Sequence, residues 1–247
     1  MVSVLRAARF AASFMLCVLP LAAQGIVIDQ GQVATDFQPL FDGETLDGWI
    51  VQPRPNATGQ WVVEDGALKP EGKPGALATA RSFGDFELVV EWKTAPDGNS
   101  GIYYRVPPSA QSATGIAIEY QLADNARKAS QEFPDRRNGA AYGLYPPTED
   151  ASKPVGEWNE SRILAQGKHV EHWLNGVKVV EFEIGSDDFK QRVAASKFDN
   201  PAFALAVRGR IALQDHGQAV WFRSVKLRQL GQKRVTIPAW ERTPTQQ

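Results

Sequence analysis

Glu119 and Gln121 stand two residues apart in a run, 115–125, that reads Gly-Ile-Ala-Ile-Glu-Tyr-Gln-Leu-Ala-Asp-Asn. Ile116, Ile118, Tyr120 and Leu122 fall on one side of this alternation, and Ala117, Glu119 and Gln121 on the other. A period of two predicts a strand with opposite faces, so the carboxylate and the carboxamide project the same way. Together they can grip hydroxyl groups as acceptor and donor at once. Asp124 follows where the strand enters a turn. An ordinary solvated strand face is an equally good account of these residues.

Histidine is scarce, with three in the chain. By strand parity His172 lies between Val170 and Leu174, which suits a packed core histidine; the competing reading is a general base. His216 sits in the turn Gln214-Asp215-His216-Gly217, where a sandwich places its loops. His169 reads as surface. Gly156-Glu157-Trp158-Asn159 sets a carboxylate, an indole and an amide side by side, the mixture that binds sugars by stacking and hydroxyl contacts; Trp158 suits the core equally. Arg105, after Tyr103 and Tyr104, can polarise a carbonyl, or pair with Glu91 or Glu119. Asn99, in the loop 96–101, and Tyr142, within 131–154, complete the candidate substrate-binding residues. No zinc spacing, phosphate loop, dinucleotide fingerprint or Gly-x-Ser-x-Gly elbow is present. No cofactor is required; oxygen and imidazole ligands can hold a divalent cation, but nothing demands one.

The elements that carry these residues are short strands. Residues 61–68 read as a hairpin around Asp65-Gly66, and 168–174 with 178–184 as a second around Asn175-Gly176. Residues 86–94, 102–106, 163–165, 210–214 and 219–230 read as further strands, and 186–196 as a short helix opened by Asp187 and Asp188. Residues 131–154 show no period, and a loop of that length on a β scaffold is commonly functional. The pattern predicts an all-β fold, a single two-sheet sandwich of jelly-roll type with one short helix.

The N-terminus has the form of a signal peptide over 1–23: Arg6 and Arg9, an apolar run from Phe10, and Leu21-Ala22-Ala23 as a cleavage site. The run is short for a membrane span, and no membrane anchor is expected. Cys17, the sole cysteine, lies within it, and Phe14-Met15-Leu16 before it lacks the small residues of a lipoprotein site. A processed chain therefore has no thiol nucleophile, disulfide or cysteine-bound metal. The expectation is an exported chain, periplasmic or secreted, with an entry segment at 24–36, one domain at 37–230 and a tail at 231–247. Without Arg6 and Arg9 the balance is 25 basic to 28 acidic residues, and no basic stripe points to nucleic acid.

Six motifs in order resemble the 3-keto-disaccharide hydrolase family, long known as DUF1080. They are Leu40-Phe41-Asp42-Gly43 with Leu46-Asp47-Gly48-Trp49, Gly98 to Arg105, Glu119 to Asp124, Gly156 to Asn159, His172 to Gly176, and Leu213 to Gly217. Asp42, where the family pattern has Asn, is one departure, in a turn where it matters little. The resemblance implies a concanavalin A-like fold and cleavage of glycosides oxidised to a ketone at sugar carbon 3. The ketone acidifies the C2 proton, a base removes it, the C1 aglycone leaves, and water can add to the enone. Such chemistry needs a base, a stabiliser for the enolate and an acid, without the paired carboxylates of ordinary glycosidases. On this resemblance Glu119 or His172 is the base and Arg105, or a bound cation, faces the enolate. Asn99, Gln121, Asp124, Tyr142, Glu157, Trp158, Asn159, Gln214 and His216 bind substrate. If the face of Val170 and Leu174 is the dry core, His172 is structural and Glu119 or His216 takes its role. The competing class is a carbohydrate-binding module on the same fold.

Overall fold

Hairpins organise the chain, and two of them close on pairs of residues with positive φ. Asp65 (φ 50°) and Gly66 (φ 74°) join strands β3 (Thr58–Glu64) and β4 (Ala67–Lys73). Asn175 (φ 49°) and Gly176 (φ 85°) join β10 (His169–Leu174) and β11 (Val177–Glu183). Two left-handed residues in succession give the turn whose twist matches that of the flanking strands, so Asn-Gly and Asp-Gly fix both registers.

The computed structural model describes residues 36–52 and 55–231. The expected signal peptide, most of the entry segment and nearly all of the tail lie outside those residues. The remaining strands are β1 (Gln38–Pro39), β2 (Trp49–Gln52), β5 (Ala76–Thr79), β6 (Phe86–Thr94), β7 (Asn99–Val106), β8 (Ile118–Ala123), β9 (Asn159–Gln166), β12 (Arg210–Leu213) and β13 (Val220–Gln229). They form two antiparallel sheets. The larger runs β11-β10-β9-β6-β13-β4-β3, with β1 also on β13; the smaller runs β2-β5-β12-β7-β8. The helices are α1 (Lys128–Glu132) and α2 (Asp187–Ala195). Helix α2 begins at Ser186, whose hydroxyl accepts the Phe189 N–H at 3.1 Å, and Asp187 and Asp188 favour its positive end. The all-β sandwich is as expected, with α1 added at the entrance to the long loop and a 3₁₀ turn at Pro134–Arg136 inside it.

The core lies between the sheets. Leu88, Val90, Trp92 and Phe222 from the larger sheet pack with Ile102, Tyr104, Tyr120, Leu122 and Leu213 from the smaller, all at most 2% exposed. Each such side chain removed from water contributes roughly 1.5–3 kcal/mol. A second apolar cluster covers the outer face of the smaller sheet. There Ala113 and Ala117 settle on Ala78, Tyr103 and Ala212, with Ile116 alongside. Ile116 therefore does not share the core face of Ile118. Residues 113–117 form a turn, with the Ala117 N–H on the Ala113 carbonyl, and β8 begins only at Ile118. The polar face of β8 is not a solvated one either, with Glu119 8% and Gln121 3% exposed.

Candidate functional site

Strand pairing places six residues in one row across the outer face of the smaller sheet. Ile50 pairs with Ala78, Ala78 with Ala212, Ala212 with Tyr103, and Tyr103 with Glu119. The chain then adds a partial strand beyond β8. Tyr120 bridges Ala141, and the Tyr142 N–H donates to the Glu119 carbonyl at 3.0 Å, which sets Tyr142 opposite Glu119. Directly opposed residues hold their Cβ atoms about 5 Å apart on the same face. Glu119 is thus flanked by two tyrosines on a floor of small residues.

Glu119 is 8% exposed. Its carboxylate lies over Gly101, where a Cβ would fall 2.2 Å from Oε1; only glycine leaves that space. The Tyr103 hydroxyl hydrogen-bonds the carboxylate, and the Gln214 amide both donates to Tyr103 Oη at 2.7 Å and reaches Glu119. Thr114 Oγ1 lies 3.2 Å from the same hydroxyl. Burial pushes the Glu119 carboxyl up to about 7, against the opposing pull of Tyr103, the Lys197 charge and Gln214. Desolvation dominates because the carboxylate has exchanged water for a few fixed dipoles. Gln121 and Asn99 continue the same face, the Gln121 amide donating to Asn99 Oδ1 at 2.9 Å. The Gln214 Oε1 atom is buried without a hydrogen-bond partner among the described residues.

His172 lies elsewhere, in the inter-sheet core at 0% exposure. Its Nε2 meets the Tyr104 hydroxyl at 3.0 Å and its Nδ1 the Gly139 carbonyl at 2.9 Å, with the Tyr120 and Phe182 rings around it. Burial pulls its pKa down to about 4. Sealed from substrate, this imidazole is a packed, hydrogen-bonded core residue, and its assignment as base is corrected. Arg105 is corrected as well. Its backbone is left-handed (φ 54°) beside a register shift between β7 and β12, so its side chain leaves the row of Tyr103 and Glu119. The guanidinium instead donates to the carbonyls of Gly84 and Gly167 and pairs with Asp85 at 3.1 Å. Its partner is Asp85, not Glu91 or Glu119, and it clamps the β9–β10 turn to the entry of β6.

A cleft of about 280 Å³ opens at one end of the sandwich, lined by Trp92, Asp124, Asn138, Asp150, Glu157 and Asn159 among others. Glu119 is not in its wall. Asp124 there accepts the backbone N–H groups of Asp97 and Ala126, and Asn159 accepts the Lys153 N–H and the Asn175 amide. Both shape loops; Glu157 is exposed. Trp158 lies outside the cleft, under Arg223 at 3.9 Å and Lys93 at 5.0 Å. His216 is exposed, 3.3 Å from Gln218 Oε1. The structure thus brings Glu119, Gln214 and Tyr142 together with Gln121 and Asn99 beside them, and sets Asp124, Glu157 and Asn159 apart.

Among the described residues, His169, Glu171 and Glu181 hold potential metal-ligand atoms within 4.8 Å of one another, on the outer face of the larger sheet. Lys178 already pairs with both glutamates and competes with a cation there. His169, read as surface, is half-buried between Glu171 and Glu183. Tyr103 and Lys197 were not singled out by the sequence. Tyr103 has a usable signal, since it shares the parity of Gly101 on the strand opposite Glu119; Lys197 has none.

A two-sheet sandwich of this kind, with a covered carboxylate on the outer face of its smaller sheet, is a jelly roll of the concanavalin A-like and galectin-like class. A Bacillus subtilis protein with a galectin-like fold superposes with a TM-score of 0.53 at 11% identity, over 80% of this chain and 96% of its own, which bears on the fold alone. The chain belongs to the family of 3-keto-alpha-glucoside-1,2-lyase-like domains, matched over residues 36–228. It is 30% identical to the 3-keto-disaccharide hydrolase of Bacteroides thetaiotaomicron, over 80% of this chain and 79% of that one. A crystal structure from Parabacteroides distasonis ATCC 8503, described as a candidate glycosyl hydrolase, superposes with a TM-score of 0.70 at 32% identity, covering 79% of this chain and 94% of that one. A second from the same organism gives 0.62 at 28% identity, covering 79% and 100%.

Proposed function

We propose that this chain cleaves the glycosidic bond of sugars oxidised to a ketone at C3, with Glu119 as the base that removes the C2 proton. The observation that carries the reading is Glu119 itself, buried on the outer face between two tyrosines, with its carboxyl raised to about 7. A base poised near neutrality takes a proton and later returns it. Family membership and the name of the Bacteroides relative supply the substrate class. A ketone at C3 makes the C2 hydrogen acidic, and its removal gives an enolate. The enolate expels the C1 aglycone, and water can then add to the enone, giving net hydrolysis.

The Tyr103 hydroxyl and the Gln214 amide hold the Glu119 carboxyl group in one orientation before and after transfer. The Gln214 side-chain oxygen, without a partner among the described residues, and the paired Gln121 and Asn99 amides supply acceptors and donors for ring hydroxyls as the site admits substrate. Export through the 1–23 segment belongs to the same proposal.

The test is a 3-keto-glucoside bearing a chromogenic aglycone, beside its unoxidised parent, with and without chelator. The expected result is release from the keto substrate alone, and chelator sensitivity marks a cation requirement. No release from either, with sugar binding intact, replaces the enzyme by a binding module.

A further inference from the structure

Glu119 has a tyrosine on each side, and the two hydroxyls are in opposite situations. The Tyr103 hydroxyl is committed: it serves the carboxylate and is itself bonded by Gln214 and lies beside Thr114. The Tyr142 hydroxyl is an acceptor, taking a hydrogen bond from Lys197 Nζ at 3.3 Å, and among the described residues it donates to no group. Its proton is therefore available to a bound molecule, while its oxygen already faces a cation.

The residues on either side of Lys197, itself exposed, are held by built structure. Ser196 closes α2, its hydroxyl donating to the Val193 carbonyl at 2.8 Å and accepting the Phe198 N–H at 3.1 Å. Phe198 stacks on Phe203 with centroids 4.3 Å apart, and its ring lies 3.3 Å from where a Gly143 Cβ would stand. The glycine after Tyr142 thus admits the aromatic after Lys197. The packing brings the ammonium 4.5 Å over the Tyr142 ring, and its charge also reaches Glu119.

The geometry points to Tyr142 as the acid that protonates the departing glycosidic oxygen, with Lys197 as the positioning residue that stabilises its phenolate. The inference rests on the keto-glycoside reading of the same site. The Glu119 carboxylate takes the C2 proton, and that electron pair passes through the enolate to form the C1–C2 double bond. The C1–O pair leaves on the aglycone oxygen, which takes the Tyr142 proton. The resulting phenolate oxygen lies 3.3 Å from the Lys197 ammonium, which donates a hydrogen bond to it. The proton held by Glu119 returns to Tyr142 through solvent. Glycoside becomes enone and free alcohol, with no oxidant or reductant consumed.

An acid is needed in proportion to the basicity of the leaving oxygen, so the test is a series of 3-keto-glucosides from nitrophenyl to methyl. Y142F is expected to release nitrophenol near the parental rate and to lose roughly 10²–10⁴-fold on the methyl glycoside. K197M follows the same trend with a smaller loss, and K197R restores most of it. Thermal melts of all three variants should match the parent, and K197M and K197R remain informative should Y142F melt early. A loss in Y142F equal across the series, or no loss at all, overturns the acid role and leaves Glu119 as base. No release by the folded parent from any member removes the keto-glycoside reading and this inference together.

Discussion

Glu119 and His172 are two buried titratable side chains on the two sheets, and burial drives both toward neutrality, the carboxyl up to about 7 and the imidazole down to about 4. Their surroundings differ. Glu119 lies under a thin cover of loop, met by hydroxyl, amide and ammonium groups, and its proton affinity falls in the range where small changes in the site switch its charge. His172 is enclosed by Tyr104, Tyr120 and Phe182 and has both ring nitrogens engaged. The first arrangement suits proton transfer; the second ties the sheets to the 139–145 segment. Burial of an ionisable group by itself does not mark a catalytic one, and what faces it does.

The sharpest way to break this comparison is to neutralise each member. E119Q keeps the shape and removes the base, so turnover of a 3-keto-glucoside should fall roughly 10²–10⁴-fold with the melting temperature unchanged or raised. H172A should show the reverse emphasis. It leaves a cavity and strips partners from the Tyr104 hydroxyl and the Gly139 carbonyl, at a cost of about 3–5 kcal/mol in urea unfolding. Equal losses of turnover per folded molecule in the two variants would erase the distinction.

A finer test uses pH. The Glu119 carboxyl is raised from 4.5 to about 7, so the folded state loses stability as pH rises through that window. His172 is lowered from 6.5 to about 4, so the folded state loses stability as pH falls through that one. The two slopes oppose each other where the windows overlap. Relative to the parent, E119Q should therefore gain up to about 3 kcal/mol across its window as pH rises, read by denaturant titration at several pH values. The smallest effect is expected from G101A. Its new methyl would fall 2.2 Å from Oε1 and 2.7 Å from Cγ of Glu119 and must push that side chain aside, for a loss of about tenfold in turnover and about 1–3 kcal/mol in stability.

Much of the frame was legible because it rests on local rules. The Asp65-Gly66 and Asn175-Gly176 turns, the alternation through Glu119 and the acidic start of α2 at Asp187 and Asp188 each follow from a few adjacent residues. His172 was legible as a conflict, since its parity with Val170 and Leu174 already placed it on an apolar face. Arg105 was not, because parity assumes a regular strand and one left-handed residue turns the side chain toward Asp85. The cover over Glu119 was equally hidden. Residues 107–114 are prolines and small or polar side chains with no period, and the alternation read from Ile116 misplaces Ile116 and Ala117 as strand residues. The docking of Ala113 and Ala117 on Ala78 and Ala212 depends on contacts far away in sequence. Lys197 reaches the site only because Phe198 packs at Gly143, a pairing no local pattern announces.

The position of β13 has a consequence for how the molecule comes into being. The last strand described lies in the middle of the larger sheet, between β6 and β4, and also holds β1. During synthesis the sheet has a gap at its centre until residue 229 has left the ribosome, so early strands have neighbours on one side only. Such long-range pairing is slow and leaves edges exposed in partly made chains. Final closure must be a late, whole-chain event, and Gln214, on the segment just before β13, joins Glu119 at nearly the same moment. Growing chains should therefore show no site at all, and assembly of the site can serve as a clock for completion of the fold.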